Sequence, residues 1–412
     1  MMGWRRPELT TEQRFLKGVF GRYYSRNEVE PPYRFARREW GFFPFGGKMM
    51  FRHMAFLKRE EISAHFRESV PMHAYYSTAY YGEPALQPMG EKTKTWMGAD
   101  LIFDLDADHL PDAESMTYEQ QLGKVKVEVI RLMEEFLFDD LGLPSEGSHL
   151  YFSGGRGYHV HVRSNEVLNL NSQDRRAIVD YITGRGIDFN VLFPKRAVHV
   201  NRRFGSVKEK RDLRSREWGG WVKRIYDSKD RLISDLEGMD EKRGTAYLVS
   251  LGRAGKIPLG EQKAATIFRH LFKSGGGKVS RRMVKEDKFQ LFQRKELDET
   301  FLSLAVAYSA VHLSGETDEP VTTDIKRLIR VPTSLHGKTG FRVTGVDIDS
   351  IRDFDPLVEA VALPDDPVKV KMREDHRISM KEQGYSLSEG TEEVPLHLAY
   401  FLVARGLATP PP

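Results

Sequence analysis

The amino-acid sequence predicts an α/β (α+β) fold of mixed sheets flanked by helices, with a mainly helical insertion. Apolar residues alternate with acidic ones over 99–108, the period of a strand with one buried face. An amphipathic helix is predicted over 118–141, and strands are predicted on both sides of a glycine-rich turn near 153–157. Helical patterns dominate the middle of the chain. We therefore expect a core in two parts, 1–170 and 301–412, separated by a helical insertion at 171–300.

The other elements are predicted from local patterns. A helix over 10–24 begins at a capping box formed by Thr10 and Gln13. Aromatic segments at 37–45, 49–56 and 73–81 have the composition of strands. The spacing of Ile325, Leu328 and Ile329 favours a helix over 321–330, and a short apolar helix is predicted over 394–407.

Composition limits the class of protein. The chain has 412 residues, 40% of them apolar, and a net charge of +4, which permits a nucleic-acid or nucleotide partner without requiring one. It contains no cysteine, which excludes disulfides, thiolate zinc sites, iron–sulfur clusters and a cysteine nucleophile. No apolar run approaches the roughly 20 residues that span a bilayer, and the N-terminus lacks the pattern of a signal peptide. We expect an intracellular protein that does not associate with membranes.

The predicted strand over 99–108 carries a candidate metal site. Asp104 and Asp106 project from the same face, with Cα atoms roughly 7 Å apart. Two carboxylates in this arrangement repel each other unless a cation lies between them. A strand that runs out into a solvated acidic loop explains the same pattern. The pair alone does not decide between these interpretations.

A second cluster surrounds the glycine-rich turn. Three glycines between Ser153 and Tyr158 allow a tight turn that exposes N–H groups, and Arg156 adds a planar cation suited to phosphate. His159 and His161 alternate along the strand that follows. The turn lacks the ending of a Walker A loop. A glycine hairpin with a surface arginine remains the alternative.

A third cluster lies between residues 318 and 340. Arg330, His336 and Lys338 supply positive charge, and Asp318 and Asp324 are additional carboxylates. Each of these residues could simply be exposed near a turn. Together, the three clusters provide carboxylates for divalent metals and cations for a polyphosphate, which are the requirements of metal-assisted nucleotidyl transfer.

The three clusters and the segments around them resemble a known family. The sequence is similar to the catalytic small subunit of the archaeal and eukaryotic DNA primases, in the primase–polymerase superfamily. The residues around Asp104 and the glycine-rich turn are most similar to those of archaeal members. The resemblance covers most of the chain except the helical middle. It rests on the following segments: Arg38-Glu39-Trp40, the strand at 75–81, Asp104-x-Asp106, S-G-x-R-G-x-H at 153–159, and Asp318 followed by L-I-R-x-P-x-S-L-H-x-K-T-G at 328–340.

The resemblance implies a role for each matching residue. Asp104, Asp106 and Asp318 match the catalytic carboxylates that bind Mg²⁺ or Mn²⁺. Residues that match contacts to the nucleotide triphosphate are Arg38, Ser153, Arg156, His159, Arg330 and His336. Asp324 is then an exposed residue, and Asp100 and Asp108 are flanking charges.

The resemblance also implies an activity and partners. It implies a nucleotidyltransferase that makes short RNA primers for DNA replication on a single-stranded DNA template from nucleoside triphosphates, by a two-metal reaction. Synthesis of DNA primers is left open. The implied partner is a large subunit with an iron–sulfur domain, which forms a heterodimer with this chain. The implied location is the cytoplasm, at the nucleoid.

One feature departs from the family pattern, and two other functions stay open. Many members carry a zinc knuckle in the interval that corresponds to 107–121, where this chain has only His109, so no zinc is expected. A repair polymerase that extends existing ends is an alternative, as is a non-catalytic nucleic-acid-binding scaffold. The basic segment 201–224 could contact template DNA or form a solvated face.

Overall fold

The computed structural model describes residues 8–88, 90–110, 113–201, 206–211, 215–273, 292, 294–310 and 321–410. The chain divides into two compact units. The first contains Met1–Val179 and Leu313–Pro412, and the second contains Asp180–His312. Helix Lys295–Ser309 therefore lies in the second unit, although the sequence predicts that the core resumes at residue 301.

Each sheet in the described part of the first unit is antiparallel. One four-stranded sheet has the order Thr344–Val346, Ser148–Phe152, Gly157–Val162, Leu101–Asp106, and a second has the order Leu328–Arg330, His73–Ser77, Trp40–Phe43, Phe51–Met54. Smaller sheets pair Ala79–Tyr81 with Trp96–Ala99, His376–Met380 with Gln383–Leu387, and Pro367–Met372 with both Gly390–Pro395 and Ala408–Thr409.

Helices pack around these sheets. The α-helices are Thr11–Arg26, Arg59–Ser69, Glu91–Lys94, Tyr118–Arg131, Asn165–Leu168, Ser172–Thr183, Pro356–Glu359 and Leu396–Ala404. A π-helix, Leu132–Asp140, continues Tyr118–Arg131. Short 3₁₀ turns are Phe35–Arg37, Ala107–His109, Ala113–Ser115 and Val321–Thr323. No described helix combines the length and apolarity needed to cross a membrane.

Local signals placed several of these elements correctly. Thr10 and Gln13 form the predicted capping box of the first helix. The predicted tail helix is present as Leu396–Ala404, and its Tyr400 stacks on Phe20 with ring centres 4.9 Å apart. The predicted helix over 321–330 is wrong. Leu328–Arg330 is a strand paired with His73–Ser77, because sheet pairing overrides a helical spacing this short.

The second unit is mainly helical, as the sequence predicts for the insertion. Its helices are Phe189–Leu192, Gly220–Glu237, Glu241–Ala254, Glu261–Phe272 and Lys295–Ser309, with a 3₁₀ turn at Arg216–Trp218. It also contains an antiparallel pair, Lys195–Asn201 with Ser206–Arg211, which the sequence did not predict. Part of the basic segment 201–224 lies in this pair.

Candidate active site

The site is organised by the strand Leu101–Asp106, hereafter the acidic strand. It lies at the edge of its sheet and pairs with Gly157–Val162, so that Asp104 lies opposite His159 and Asp106 opposite Gly157. The leucine and phenylalanine side chains of the strand are buried, whereas the Asp104 and Asp106 side chains are 23% and 33% exposed. The alternation of the sequence therefore places both carboxylates on the open face.

The surroundings of Asp106 disfavour its ionised form. Burial raises the pKa of its carboxyl group, and the neighbouring charges of Asp104 and Asp108 act in the same direction. The Asp108 backbone N–H and the Arg156 guanidinium oppose this shift. Arg156 lies 3.9 Å from the Asp106 carboxylate and 2.5 Å from that of Asp108. A further cation beside Asp104 and Asp106 would therefore stabilise their ionised forms.

Residues 153–157, hereafter the glycine turn, hold Arg156 beside the acidic strand. Gly154 adopts a φ of +75°, and a Cβ atom there would lie 2.8 Å from the Cβ of His336. A Cβ atom on Gly157 would lie 2.1 Å from the Leu105 carbonyl oxygen. Both positions therefore require glycine, and the turn is in direct backbone contact with the acidic strand.

Residues 334–340, hereafter the histidine loop, are hydrogen-bonded to the glycine turn. The Thr339 hydroxyl donates to the Gly154 carbonyl oxygen at 2.5 Å, and Thr339 Oγ1 lies 3.2 Å from His336 Nδ1. The loop closes through a hydrogen bond from the His336 N–H to the Phe341 carbonyl oxygen. These bonds place the His336 ring against Gly155, at the side of the turn that carries Arg156.

Arg330 joins the site from the other four-stranded sheet. It is directly opposite Tyr75 in the strand register, and its guanidinium carbon lies 5.0 Å from the Tyr75 ring centre. Burial lowers the pKa of Arg330, whereas Tyr75, Asp104 and Asp106 raise it. Arg330 is therefore within electrostatic range of both aspartates, and the structure brings these three predicted residues together.

His73 is a site residue that the sequence reasoning missed. Its Nδ1 lies 2.8 Å from Arg330 Nη1 and accepts the Gly337 N–H at 3.3 Å. Its ring centre is 5.0 Å from that of His336. The segment 73–81 predicted only an aromatic strand. The available signal was the alternation of His73 with Tyr75, which places both side chains on one face of that strand.

The histidines of the site are neutral. His159 Nε2 lies 3.4 Å from Asp104 Oδ1, and burial, with help from Arg330, lowers the pKa of His159 to about 3. Burial likewise lowers the pKa of His73 to about 2 and that of His336 well below its usual value. Neutral imidazoles can donate one N–H to a phosphate oxygen, so the permanent positive charge comes from arginine and lysine.

These lowered pKa values predict how stability depends on pH. Unfolding exposes histidines that bind protons near pH 6.5, so the unfolded state takes up more protons and stability falls as the pH drops from about 6.5 towards 3. Each such histidine adds a slope of roughly 1 kcal/mol per pH unit. We expect His159→Gln to reduce the slope by that amount in urea unfolding measured between pH 6.5 and 4.5. Equal slopes in the two proteins would contradict the burial of a neutral His159.

Arg38 differs from the other predicted phosphate contacts because its guanidinium is fully buried. Its five N–H groups donate to five acceptors, namely the carbonyl oxygens of Tyr33, Ser77 and Thr78, the Tyr80 hydroxyl and the Asp100 carboxylate. No N–H of Arg38 is left for a phosphate in this arrangement. The geometry therefore assigns Arg38 a structural part, against the sequence expectation.

The two flanking aspartates also differ from their sequence interpretation. Asp100 is buried, lies 2.7 Å from Arg38 and 3.5 Å from Arg163, and accepts a hydrogen bond from the Tyr80 hydroxyl. Asp108 is more than half exposed and pairs with Arg156. Asp100 therefore belongs to a buried ion pair, whereas Asp108 is part of the electrostatics of the site.

The third predicted carboxylate, Asp318, lies outside the described residues. Within the part of the chain that is described, no group of three or more histidine and carboxylate side chains could hold a metal ion. The 3₁₀ turn Val321–Thr323, which follows Asp318 by three residues, packs against the acidic strand. The described site is therefore a pair of aspartates with Ser153, Arg156, His159, Arg330 and His336 around it.

Two carboxylates on a sheet edge, facing arginines and a glycine turn, define a nucleotidyltransferase type of site. Comparison with known proteins then identifies the family. The family model for the DNA primase small subunit matches residues 103–348. The chain belongs to the DNA primase small-subunit family, and its function is that of a catalytic primase subunit in DNA replication.

Full-length relatives agree with this assignment. The DNA primase small subunit of Methanocella arvoryzae is 39% identical, covering 96% of this chain and 97% of the relative. That of Methanothrix thermoacetophila is 37% identical, covering 96% and 98% of the two chains. That of Picrophilus torridus is also 37% identical, covering 93% and 94%. The similarity extends over both units of the chain, including the helical insertion.

Proposed function

We propose that this chain joins nucleoside triphosphates into short primers on single-stranded DNA, with Asp104 and Asp106 as catalytic carboxylates. The observation that carries the proposal is the placement of both carboxylates on one open strand face, within electrostatic range of Arg330 and beside Arg156. RNA primers are the proposed product. A de novo synthesis assay that compares ribonucleotides with deoxyribonucleotides tests both the reaction and the choice of sugar.

The aspartate pair fits a divalent metal. Burial and the mutual repulsion of the carboxylates raise the pKa of Asp106, so a cation there would be favourable. An all-oxygen donor set suits Mg²⁺ or Mn²⁺ rather than zinc. When bound, such ions supply Lewis acidity that lowers the pKa of the primer 3′-hydroxyl and offsets charge on the phosphates.

Asp318 is proposed as the third carboxylate. The turn Val321–Thr323 contacts the acidic strand, and three residues of extended chain span at most about 11 Å. A chain of that length permits a carboxylate three residues before the turn to reach the acidic strand. Asp324, by contrast, accepts the backbone N–H of Lys326, which is a local turn contact.

The proposed triphosphate site lies between the glycine turn and the histidine loop. Arg156 and Arg330 provide permanent charge, and the neutral rings of His159 and His336 provide single N–H donors. The Ser153 hydroxyl accepts the Gly155 N–H at 3.2 Å and so keeps its own O–H available as a donor. Lys338, exposed on the histidine loop, adds a cation that lowers the pKa values of His73 and His336.

Replacing Arg330 should weaken nucleotide binding. Arg330→Gln removes a half-buried cation that we propose contacts the phosphates, and a charge-assisted hydrogen bond contributes about 1.5–3 kcal/mol. We expect the KM for the nucleoside triphosphate to rise roughly 10- to 100-fold in primer extension. Arg327→Gln is the matched control because Arg327 is exposed three residues earlier in the same segment. An unchanged KM in Arg330→Gln would contradict the role.

The proposed partners follow from the family. Relatives are named small subunits, so we propose a heterodimer with a large subunit, which supplies the iron–sulfur domain that this cysteine-free chain lacks. The proposed location is the cytoplasm, at the nucleoid. Running the de novo synthesis assay with and without the large subunit separates initiation from extension. Primer synthesis that needs neither added metal nor template would contradict the proposal.

A further inference from the structure

The positive charge of the chain is concentrated in the second unit. Residues 180–312 contain 28 lysines and arginines against 17 aspartates and glutamates, a net charge of +11. The rest of the chain has 35 against 42, a net charge of −7. The basic segment 201–224 supplies only nine of the 28 cations, so most of the charge lies elsewhere in the unit. A unit with this charge attracts polyanions, and the attraction weakens with added salt.

The helix Glu241–Ala254, hereafter the basic helix, presents cations on its exposed surface. On its buried side, Gly244 lies against the Phe268 ring of the neighbouring helix Glu261–Phe272, and a Cβ atom at that position would overlap the ring. Exposed cations lie on the remaining surface of the helix and just after its end: Lys242, Arg243, Arg253 and Lys256. Lys242 and Arg253 are on the same side, because 11 residues are close to three helical turns, and they lie roughly 16 Å apart along the axis.

These four cations are not compensated by neighbouring acids. Within the part of the chain that the structure describes, none of them forms an ion pair with a carboxylate. The acid next to them in sequence, Glu241, lies 2.5 Å from Lys273 and 3.7 Å from Arg269. The side chain of Asp240 caps the helix by accepting the Arg243 backbone N–H. The exposed surface of the basic helix is therefore a cationic patch.

Helix stability does not explain the cations at the start of the basic helix. Lys242 and Arg243 lie in its first turn, where the positive end of the helix dipole favours acidic side chains. Of the cations on the helix, only Arg253, in the last turn, is favoured by the dipole. A polyanion bound along the patch would offset the repulsion at the first turn.

A single strand of nucleic acid fits this patch better than an acidic protein does. The roughly 16 Å between Lys242 and Arg253 corresponds to about five phosphates of a stacked strand, at about 3.4 Å per nucleotide. The same unit carries Trp218, whose side chain is 64% exposed, and exposed aromatic rings stack on unpaired bases. A template must also be held whatever its sequence, which requires contacts to phosphates rather than to base edges.

We propose that the basic helix, together with Lys256, binds the phosphate backbone of the single-stranded DNA template. The inference rests on the proposed function, because it assigns a surface to the template that the reaction copies. Binding through phosphates is independent of sequence and falls steeply as salt displaces the strand. The helical insertion is then the part of the chain that holds DNA by charge.

The test measures binding of a labelled single-stranded oligonucleotide of mixed sequence to the full chain, between about 50 and 200 mM salt. The quadruple variant is Lys242→Gln, Arg243→Gln, Arg253→Gln and Lys256→Gln. We expect its Kd to rise about tenfold or more at the lowest salt. The slope of log Kd against log salt should fall by up to roughly 3, since each phosphate contact to a single strand contributes about 0.7. A matched control removes four exposed cations from the first unit and should bind like the wild type: Lys369→Gln, Lys371→Gln, Arg373→Gln and Arg377→Gln.

Wild-type affinity and salt slope in the quadruple variant would overturn the assignment. An equal loss in the control would also overturn it, because net charge rather than the basic helix would then be responsible. Unchanged DNA binding with weaker binding of the large subunit would show that the patch fits a protein partner instead. The proposed function fails separately, because oligonucleotide binding needs no turnover, whereas that proposal fails if aspartate variants of the acidic strand retain full synthesis.

Discussion

Asp104→Asn and Asp106→Asn should each reduce nucleotide incorporation by about a thousandfold or more, and the protein should stay folded. Asparagine keeps the size of aspartate, but it replaces one acceptor oxygen with an NH2 donor and removes the charge that a divalent ion requires. Metal assistance supplies several kcal/mol of transition-state stabilisation, and each 1.4 kcal/mol or so corresponds to a factor of ten. Primer extension under single-turnover conditions, with a magnesium titration, measures the loss.

The stability of the Asp106 variant gives an independent check. Because burial raises the pKa of Asp106, its ionised form is less favourable in the folded protein than in the unfolded chain. Asp106→Asn should therefore unfold at an equal or slightly higher temperature than the wild type. Sites that are held in an unfavourable state for function often show this opposition between stability and activity.

A matched aspartate elsewhere distinguishes a site effect from a general charge effect. Asp349 is exposed, lies after strand Thr344–Val346 and is remote in sequence from the acidic strand. Asp349→Asn should incorporate nucleotides at the wild-type rate. Full activity in Asp104→Asn would remove the basis of the proposed mechanism, and an equal loss in Asp349→Asn would show that net charge was responsible.

The acidic strand could be predicted because its information is local. A period of two in Leu101–Asp106 fixes which side chains are buried, and the strand pairing then sets Asp104 opposite His159. The glycine turn could also be predicted from the sequence, since close contacts with neighbouring backbone and side chains require glycine at Gly154 and Gly157. Both features depend on neighbours within a few residues or on a single strand pairing.

The surroundings of the site depend on contacts between distant segments, which local patterns do not encode. His73 joins the site only because its strand pairs with Leu328–Arg330, more than 250 residues later. The helix predicted over 321–330 failed for the same reason. Asp100 shares the alternation of Asp104 and Asp106, yet its burial beside Arg38 and Arg163 gives it a different role.

Arg38 also shows how a motif residue can be placed by tertiary structure. In the sequence, Arg38-Glu39-Trp40 is one of the segments shared with the primase family. In the structure, Arg38 packs 4.2 Å from the Tyr80 ring centre and pairs with Asp100 at 2.7 Å. Since Asp100 directly precedes the acidic strand, this pair fixes the start of the strand that carries the proposed catalytic carboxylates.

Arg38→Met should consequently destabilise the protein by about 3–5 kcal/mol, because it leaves the buried Asp100 charge without its main partner. Arg163, 3.5 Å from Asp100, compensates in part and favours the lower end of that range. Urea unfolding followed by circular dichroism measures the change. Arg37→Met, at an exposed neighbouring arginine, is the control and should stay within about 1 kcal/mol of wild type.

A second substitution separates this structural part from the phosphate contact that the sequence predicts. Adding Asp100→Asn to Arg38→Met removes the uncompensated charge, so the double variant should be more stable than Arg38→Met alone. Arg38→Lys should lose stability as well, since lysine cannot reach five acceptors in a fixed plane. If Arg38 instead bound the triphosphate, Arg38→Lys would be as stable as the wild type and would show a raised KM for nucleotide. The double variant would then be no more stable than Arg38→Met.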